Sequence, residues 1–219
     1  MNDSDENTVL NRARFLKLWE RNLIAGAANH ADRVYQQLIN AYNEPQRVYH
    51  NLQHINHCLT TFDKVRHLPQ STDSIELAIW FHDVVYQPGS SDNEQLSAKL
   101  YCTAADGQHK PEMVKRVNRL IMATLHNAED IEDPDCKLMV DIDLSSFALP
   151  WEEFLDDSKN LRRESGIVSD QDYYQKQYQF QQGLLTKEHF FLTDYFIEHG
   201  EKNAHRNLQK FFHIIEKHI

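Results

Sequence analysis

Glycine and proline are scarce, six of each in 219 residues, and they fall between segments of helical periodicity rather than within them. Little in the chain interrupts a helix. Cysteine is scarcer still: Cys58, Cys102 and Cys136 lie far apart, odd in number and without a CxxC pair. A disulfide framework is therefore not expected, and free thiols in a reducing cytoplasm are. No stretch of roughly 18 apolar residues exists to cross a bilayer. The opening MNDSDENTVLNRARF is polar and acidic and lacks the basic and apolar regions of a signal peptide, which fits a cytoplasmic protein. Positive charge is also in deficit, 23 Lys and Arg against 33 Asp and Glu for a net charge of -10. General affinity for nucleic acid or anionic membranes is thereby disfavoured, although a local basic cluster could hold a phosphate. Internal repeats, low-complexity linkers and shifts in composition are absent, so one domain over residues 1–219 is expected.

What is present is helical periodicity. Phe15, Leu16, Trp19, Leu23 and Ile24 recur at helical spacing, as do Val34, Tyr35, Leu38 and Ile39, and both sets should pack inward. Asp73 with Glu76 three residues on has the form of a capping box, and Pro111 suits a first helical turn. Met113 to Leu125 make an amphipathic helix reaching His126. Pro150 opens a further segment, and Gly183 and Gly200 separate the last helices. The expected fold is all-α, a single compact domain of roughly nine to eleven helices.

Within this background His82-Asp83 stands out, because it lies inside AIWFHDVVY, where nearly every other residue is apolar. From Ile75 to Tyr86 the segment is hydrophobic on almost every helical face, the pattern of a helix buried on all sides. A carboxylate buried there without compensation costs several kcal/mol or more, so Asp83 calls for a cation, an arginine or a metal. The adjacent imidazole favours the metal.

Three other sites could converge on that doublet. In RVYHNLQHINH, His50, His54 and His57 fall at i, i+4 and i+7 and would share one helix face able to bind a metal, or form a surface cluster drawn from a chain with 13 histidines. In LMVDIDLSSF, Asp141 and Asp143 alternate with apolar residues, as partnered carboxylates or as solvent-facing aspartates of a short strand or loop. His126 closes LIMATLHN, where it could equally cap a helix C-terminus.

Together these motifs resemble the HD superfamily of metal-dependent phosphohydrolases, in an uncharacterised bacterial branch: YHNLQH, the doublet in AIWFHDVVY, NEQLSA, DIDLSSF and AHRNL occur in order from about Arg47 onward. The resemblance implies an all-helical HD domain with His50, His82, Asp83 and Asp143 as metal ligands, and it aligns Asp143 better than Asp141 with the last of these. His54, His57 and His126 lie outside the minimal signature, where some branches carry a second metal. Two imidazoles and two carboxylates suit Mn²⁺, Fe²⁺, Co²⁺, Ni²⁺ or Zn²⁺, with Mg²⁺ less natural. Such an ion supplies a hydroxide near neutral pH and polarises a phosphoryl oxygen, so the expected reaction is hydrolysis of a nucleotide or small phosphoester. Asp83 or Asp141 would accept the water proton, and Glu94, matching the family's NE motif, would orient water or a ligand histidine, or else serve the helix dipole.

Arg47, three residues before His50, would hold a phosphate or form a surface ion pair. Tyr86, Tyr173, Tyr174 and Tyr178 would stack on a base or fill the core. The aromatic C-terminal runs FLTDYFIEHG and KFFHII offer a homodimer surface or core packing. Two further functional classes fit the same scaffold: a two-iron oxygenase, and a non-catalytic sensor that binds a metal or nucleotide.

Overall fold

In the computed structural model, the described residues are 3–126 and 131–218, so residues 1, 2, 127–130 and 219 of the expected domain lie outside them. Among the described residues the chain forms eleven α-helices, one 3₁₀ helix and no strand. The all-α expectation holds. A lone antiparallel bridge joins Leu23 to His109.

Helix α4 (Thr72–Phe81) is the centre of the packing, and every residue from Ser74 to Phe81 is buried. Its neighbours are α1 (Asp3–Arg21), α3 (Leu52–Val65), α5 (Asn93–Ala105), α6 (Pro111–Ala123) and α7 (Pro134–Asp143). Phe15 and Trp19 of α1 pack inward as their spacing predicts, with Trp80 edge-on to Phe15 at 5.4 Å. Val34, Tyr35 and Leu38 of α2 (Ala31–Tyr42) are buried as well. A second apolar cluster joins Phe154 of α8 (Trp151–Glu164) to Phe211 and Ile215 of α11 (Glu201–Ile215), with Tyr174 and Tyr178 of α9 (Asp170–Leu185) against it. Those C-terminal aromatics serve core packing within the chain.

Three local expectations are revised. The capping box of α4 does not form: Glu76 instead lies 2.7 Å from Arg14 and 2.8 Å from Arg66, and Asp73 binds Arg21. Asp135 of α7 takes over, its carboxylate accepting from the backbone N–H groups of Gln70 and Ser71 at 2.8 and 3.1 Å. Gly183 lies inside α9 rather than between helices, whereas Gly200 does separate α10 (Asp194–His199) from α11. At Gly200 a Cβ would come 2.8 Å from the Phe191 ring, so close packing requires the glycine. Finally, LMVDIDLSSF is neither strand nor loop; it is the end of α7 followed by the 3₁₀ helix Leu144–Ala148.

His109 ties the region after α5 to this core. Its ring centroid lies 4.2 Å from that of Trp19, and its Nδ1 is 3.0 Å from the Tyr101 hydroxyl. Burial pushes its imidazole down to about 4. A histidine held neutral in the fold but protonated when unfolded stabilises fully above its ordinary value of 6.5 and loses that contribution as pH falls from there towards 4. His109→Gln should therefore remove about 2 kcal/mol of the acid destabilisation measured by urea unfolding at pH 7 and pH 4.5. An unchanged pH slope would refute this role.

Candidate metal centre

The doublet sits where α4 ends. His82 is the C-cap of α4, its N–H bonded to the Ala78 carbonyl at 2.9 Å, and the chain then turns, the Val84 N–H bonding the Phe81 carbonyl at 3.2 Å. The His82 ring nitrogen Nδ1 lies 2.9 Å from the Ile79 carbonyl. That carbonyl can only accept, so Nδ1 carries the proton and Nε2 of the neutral ring presents a lone pair. Oδ2 of Asp83 is 3.0 Å from this Nε2, Oδ1 of Asp143 is 3.4 Å from it, and Nε2 of His54 is 3.2 Å from it. His54 is also 3.1 Å from Asp143 and 3.5 Å from Asp83. Cys58, one turn after His54 on α3, brings its Sγ to 3.7 Å from the same nitrogen.

His54, Cys58, His82 and Asp143 thus place four ligand atoms within 4.8 Å of one another, a group that could hold a metal ion. The spacing fits. Bonds of about 2.1 Å put neighbouring donors about 3.0 Å apart at right angles and about 3.4 Å apart in a tetrahedron. Electrostatics point the same way, since mutually facing lone pairs and two carboxylates in a buried pocket repel unless a cation sits among them. Without a metal, that cation is a proton. Burial alone would lower His82, but Asp83 and Asp143 outweigh it and raise the imidazole well above its ordinary value. Burial would raise Asp143, but hydrogen bonds from His126, His54 and His82 hold it well below the carboxylate range. Asp83 is likewise depressed against its burial, chiefly by His82 and His50.

His126 completes the ring of donors, its Nε2 lying 3.0 Å from Asp143 Oδ2. It follows the end of α6 at a φ of +54°, a left-handed conformation that histidine tolerates better than most residues. The backbone turn, rather than helix capping, is what brings the ring to Asp143.

Of the residues marked in the sequence, His54, His82, Asp83, His126 and Asp143 come together. His50 borders the facing donors without joining them, its ring centroid 6.1 Å from that of His54, because α3 begins at Leu52 with Asn51 as its N-cap and His50 precedes the helix. Its Nδ1 bonds the buried Glu164 carboxylate, leaving Nε2 as a lone pair, and its ring stacks on Tyr86 at 4.0 Å. His57 turns to the Ser145 hydroxyl at 2.8 Å. Asp141 leaves the site, since residues two apart on a helix point in nearly opposite directions. Its carboxylate accepts from the Leu192 and Thr193 N–H groups, both at 2.8 Å, and from the Thr193 hydroxyl. Arg47 is also turned away from any phosphate: its buried guanidinium donates to the Asp83 carbonyl at 2.6 Å, the Val84 carbonyl at 2.9 Å and Glu44 at 3.0 Å. It clamps the turn that carries Asp83. Glu94, in the first turn of α5, is close enough to Asp83, His126 and Asp143 to feel their charge, and burial with those carboxylates raises its acid group.

Sequence reasoning missed Cys58, and it missed Glu164. The latter binds the N–H groups of Val48, Tyr49 and His50 as well as the His50 ring. A glutamate in the last turn of α8, where the helix dipole disfavours an anion, was its one visible signal. Beside the cluster opens a cavity of about 160 Å³ lined by His50, His126 and Asp143 together with residues of α8 and α9. Among the described helices none is long and apolar enough to cross a membrane. Compared with family models, curated proteins and solved structures, the chain shows no match in any of the three.

If these donors bind a divalent ion, Mn²⁺ or Co²⁺ at about 100 times its Kd should add about 2.7 kcal/mol of stability. The thermal midpoint should then rise by about 5–10 °C. Asp143→Asn and His54→Ala should each abolish the rise, and a rise retained in both variants would place the ion elsewhere.

Proposed function

We propose that the protein is a metal-dependent phosphohydrolase of the HD type, cleaving a phosphoester of a nucleotide or small metabolite. The observation that carries this reading is the meeting of imidazole and carboxylate lone pairs from His54, His82, Asp83 and Asp143 at the wall of an open cavity. A divalent ion held there would lower the pKa of a bound water and draw charge from a phosphoryl oxygen. His82 serves as a ligand in the tautomer that Ile79 fixes, and Asp143 is shared between His54 and His126. His50 has the paired carboxylate typical of a ligand histidine, supplied by Glu164, and it lines the cavity. Glu94, not Asp141, is the proton acceptor in this reading, because Asp141 is fully committed to Leu192 and Thr193. Arg47 acts as a positioning residue through the Asp83 carbonyl.

Phosphate release from a panel of nucleotides and small phosphoesters, in Mn²⁺, Co²⁺, Ni²⁺ and Mg²⁺, tests the proposal. Wild type should release phosphate and Asp83→Ala should lose both turnover and bound metal. Glu94→Gln should keep the metal and lose about 10²-fold or more in kcat/KM. No release by a wild type that holds stoichiometric metal would overturn hydrolysis, and iron content with oxygen consumption would then identify the oxygenase alternative.

A further inference from the structure

The cavity beside the cluster contains no lysine or arginine in its lining. Two arginines of the surrounding segments are occupied: Arg162 lies over the Tyr173 ring at 5.0 Å, bound to Asp170 and the Ile167 carbonyl, and Arg47 is bound to main-chain carbonyls. Phe154, Leu161, Tyr173 and Phe180 supply apolar lining from α8 and α9. Set among them are two acceptors lacking donors. Gln181, 2% exposed, has an Oε1 with no hydrogen-bond partner among the described residues, while its Nε2 reaches Gln177 at 3.4 Å. Asp157 lines the same cavity without a hydrogen bond or ion pair to any described residue, and burial pushes its carboxyl up to about 6. The Gln181 oxygen, buried and unsatisfied, costs about 1–3 kcal/mol that a donor on a ligand recovers, while the half-buried Asp157 carboxylate offers that donor a negative charge.

From this wall we infer that the cavity selects an apolar, ring-sized body carrying a protonated amine whose N–H groups are directed at Asp157 and Gln181. Resting on the phosphohydrolase reading, the substrate is then an N–H-bearing aromatic or alkyl compound with one phosphate at the metal cluster. A second phosphate reaching into the cavity would meet Asp157 with no cation to offset it, so polyphosphates are poor substrates.

Binding of 2-phenylethylamine and of its neutral isostere 2-phenylethanol, measured by calorimetry on full-length protein with Mn²⁺ present, tests the inference without reference to turnover. Wild type should bind the amine about tenfold or more tighter than the alcohol, and Asp157→Asn should bring the two near parity. Gln181→Leu should also weaken the amine, and it reads the same preference if Asp157→Asn does not fold. No binding of the amine by wild type, equal affinity for amine and alcohol, or an amine preference unchanged in both variants would overturn the inference. The two readings fail separately: amine preference without hydrolysis of any phosphoester removes the enzyme reading alone, and hydrolysis without amine preference removes this one alone.

Discussion

Burial of His82, and with it most of Asp83, at the end of a helix enclosed on every face is the constraint to which the rest of the molecule answers. Helix α4 cannot be exposed, since its residues from Ser74 to Phe81 are all buried, and so the polar pair that follows is carried into the interior with it. Leaving a carboxylate there uncompensated costs several kcal/mol, and each neighbouring element turns a polar side chain towards it or its partners. Helix α3 brings His54, α7 brings Asp143, and the turn after α6 brings His126. Arg47 satisfies the carbonyls of the turn itself, at Asp83 and Val84. Yet a second carboxylate among these side chains leaves the group in need of positive charge, which is the physical argument for a bound cation over a self-contained hydrogen-bond network.

A second buried carboxylate, Glu164, does for His50 what Arg47 does for Asp83. It collects the N–H groups of Val48, Tyr49 and His50 and the His50 ring, so the segment before α3 is fixed before any ligand arrives. Elsewhere the charged groups serve architecture. Glu76 joins α4 to Arg14 of α1 and to Arg66 just after α3, and Asp135 caps α4 from α7. The capping box legible in Asp73 and Glu76 did not form because three arginines hold the carboxylates, Arg14 and Arg66 at Glu76 and Arg21 at Asp73.

Much of this was legible from pattern. The all-round apolarity of residues 75–81 announced a buried helix, and burial made Asp83 conspicuous. Asp143 was separable from Asp141 once the segment was helical, because only one of two residues spaced by two can face a given neighbour. The strand alternative hid that distinction. His50 against His54 was harder: the N-capping power of Asn51, not the histidine spacing, decides where α3 begins. Glu164 and Cys58 were not legible, since their roles depend on which helices pack together across more than eighty residues of chain.

The cluster and the cavity divide the functional problem between them, with donors for a cation on one side and an apolar, acceptor-bearing wall on the other. Anomalous scattering from crystals grown with Mn²⁺ or Zn²⁺ tests the central claim most directly. One strong peak is expected, bonded at about 2.0–2.2 Å to Nε2 of His54 and His82 and to carboxylate oxygens of Asp83 and Asp143. A fully occupied ion bound elsewhere, with those four side chains still in mutual contact and no peak between them, would contradict it.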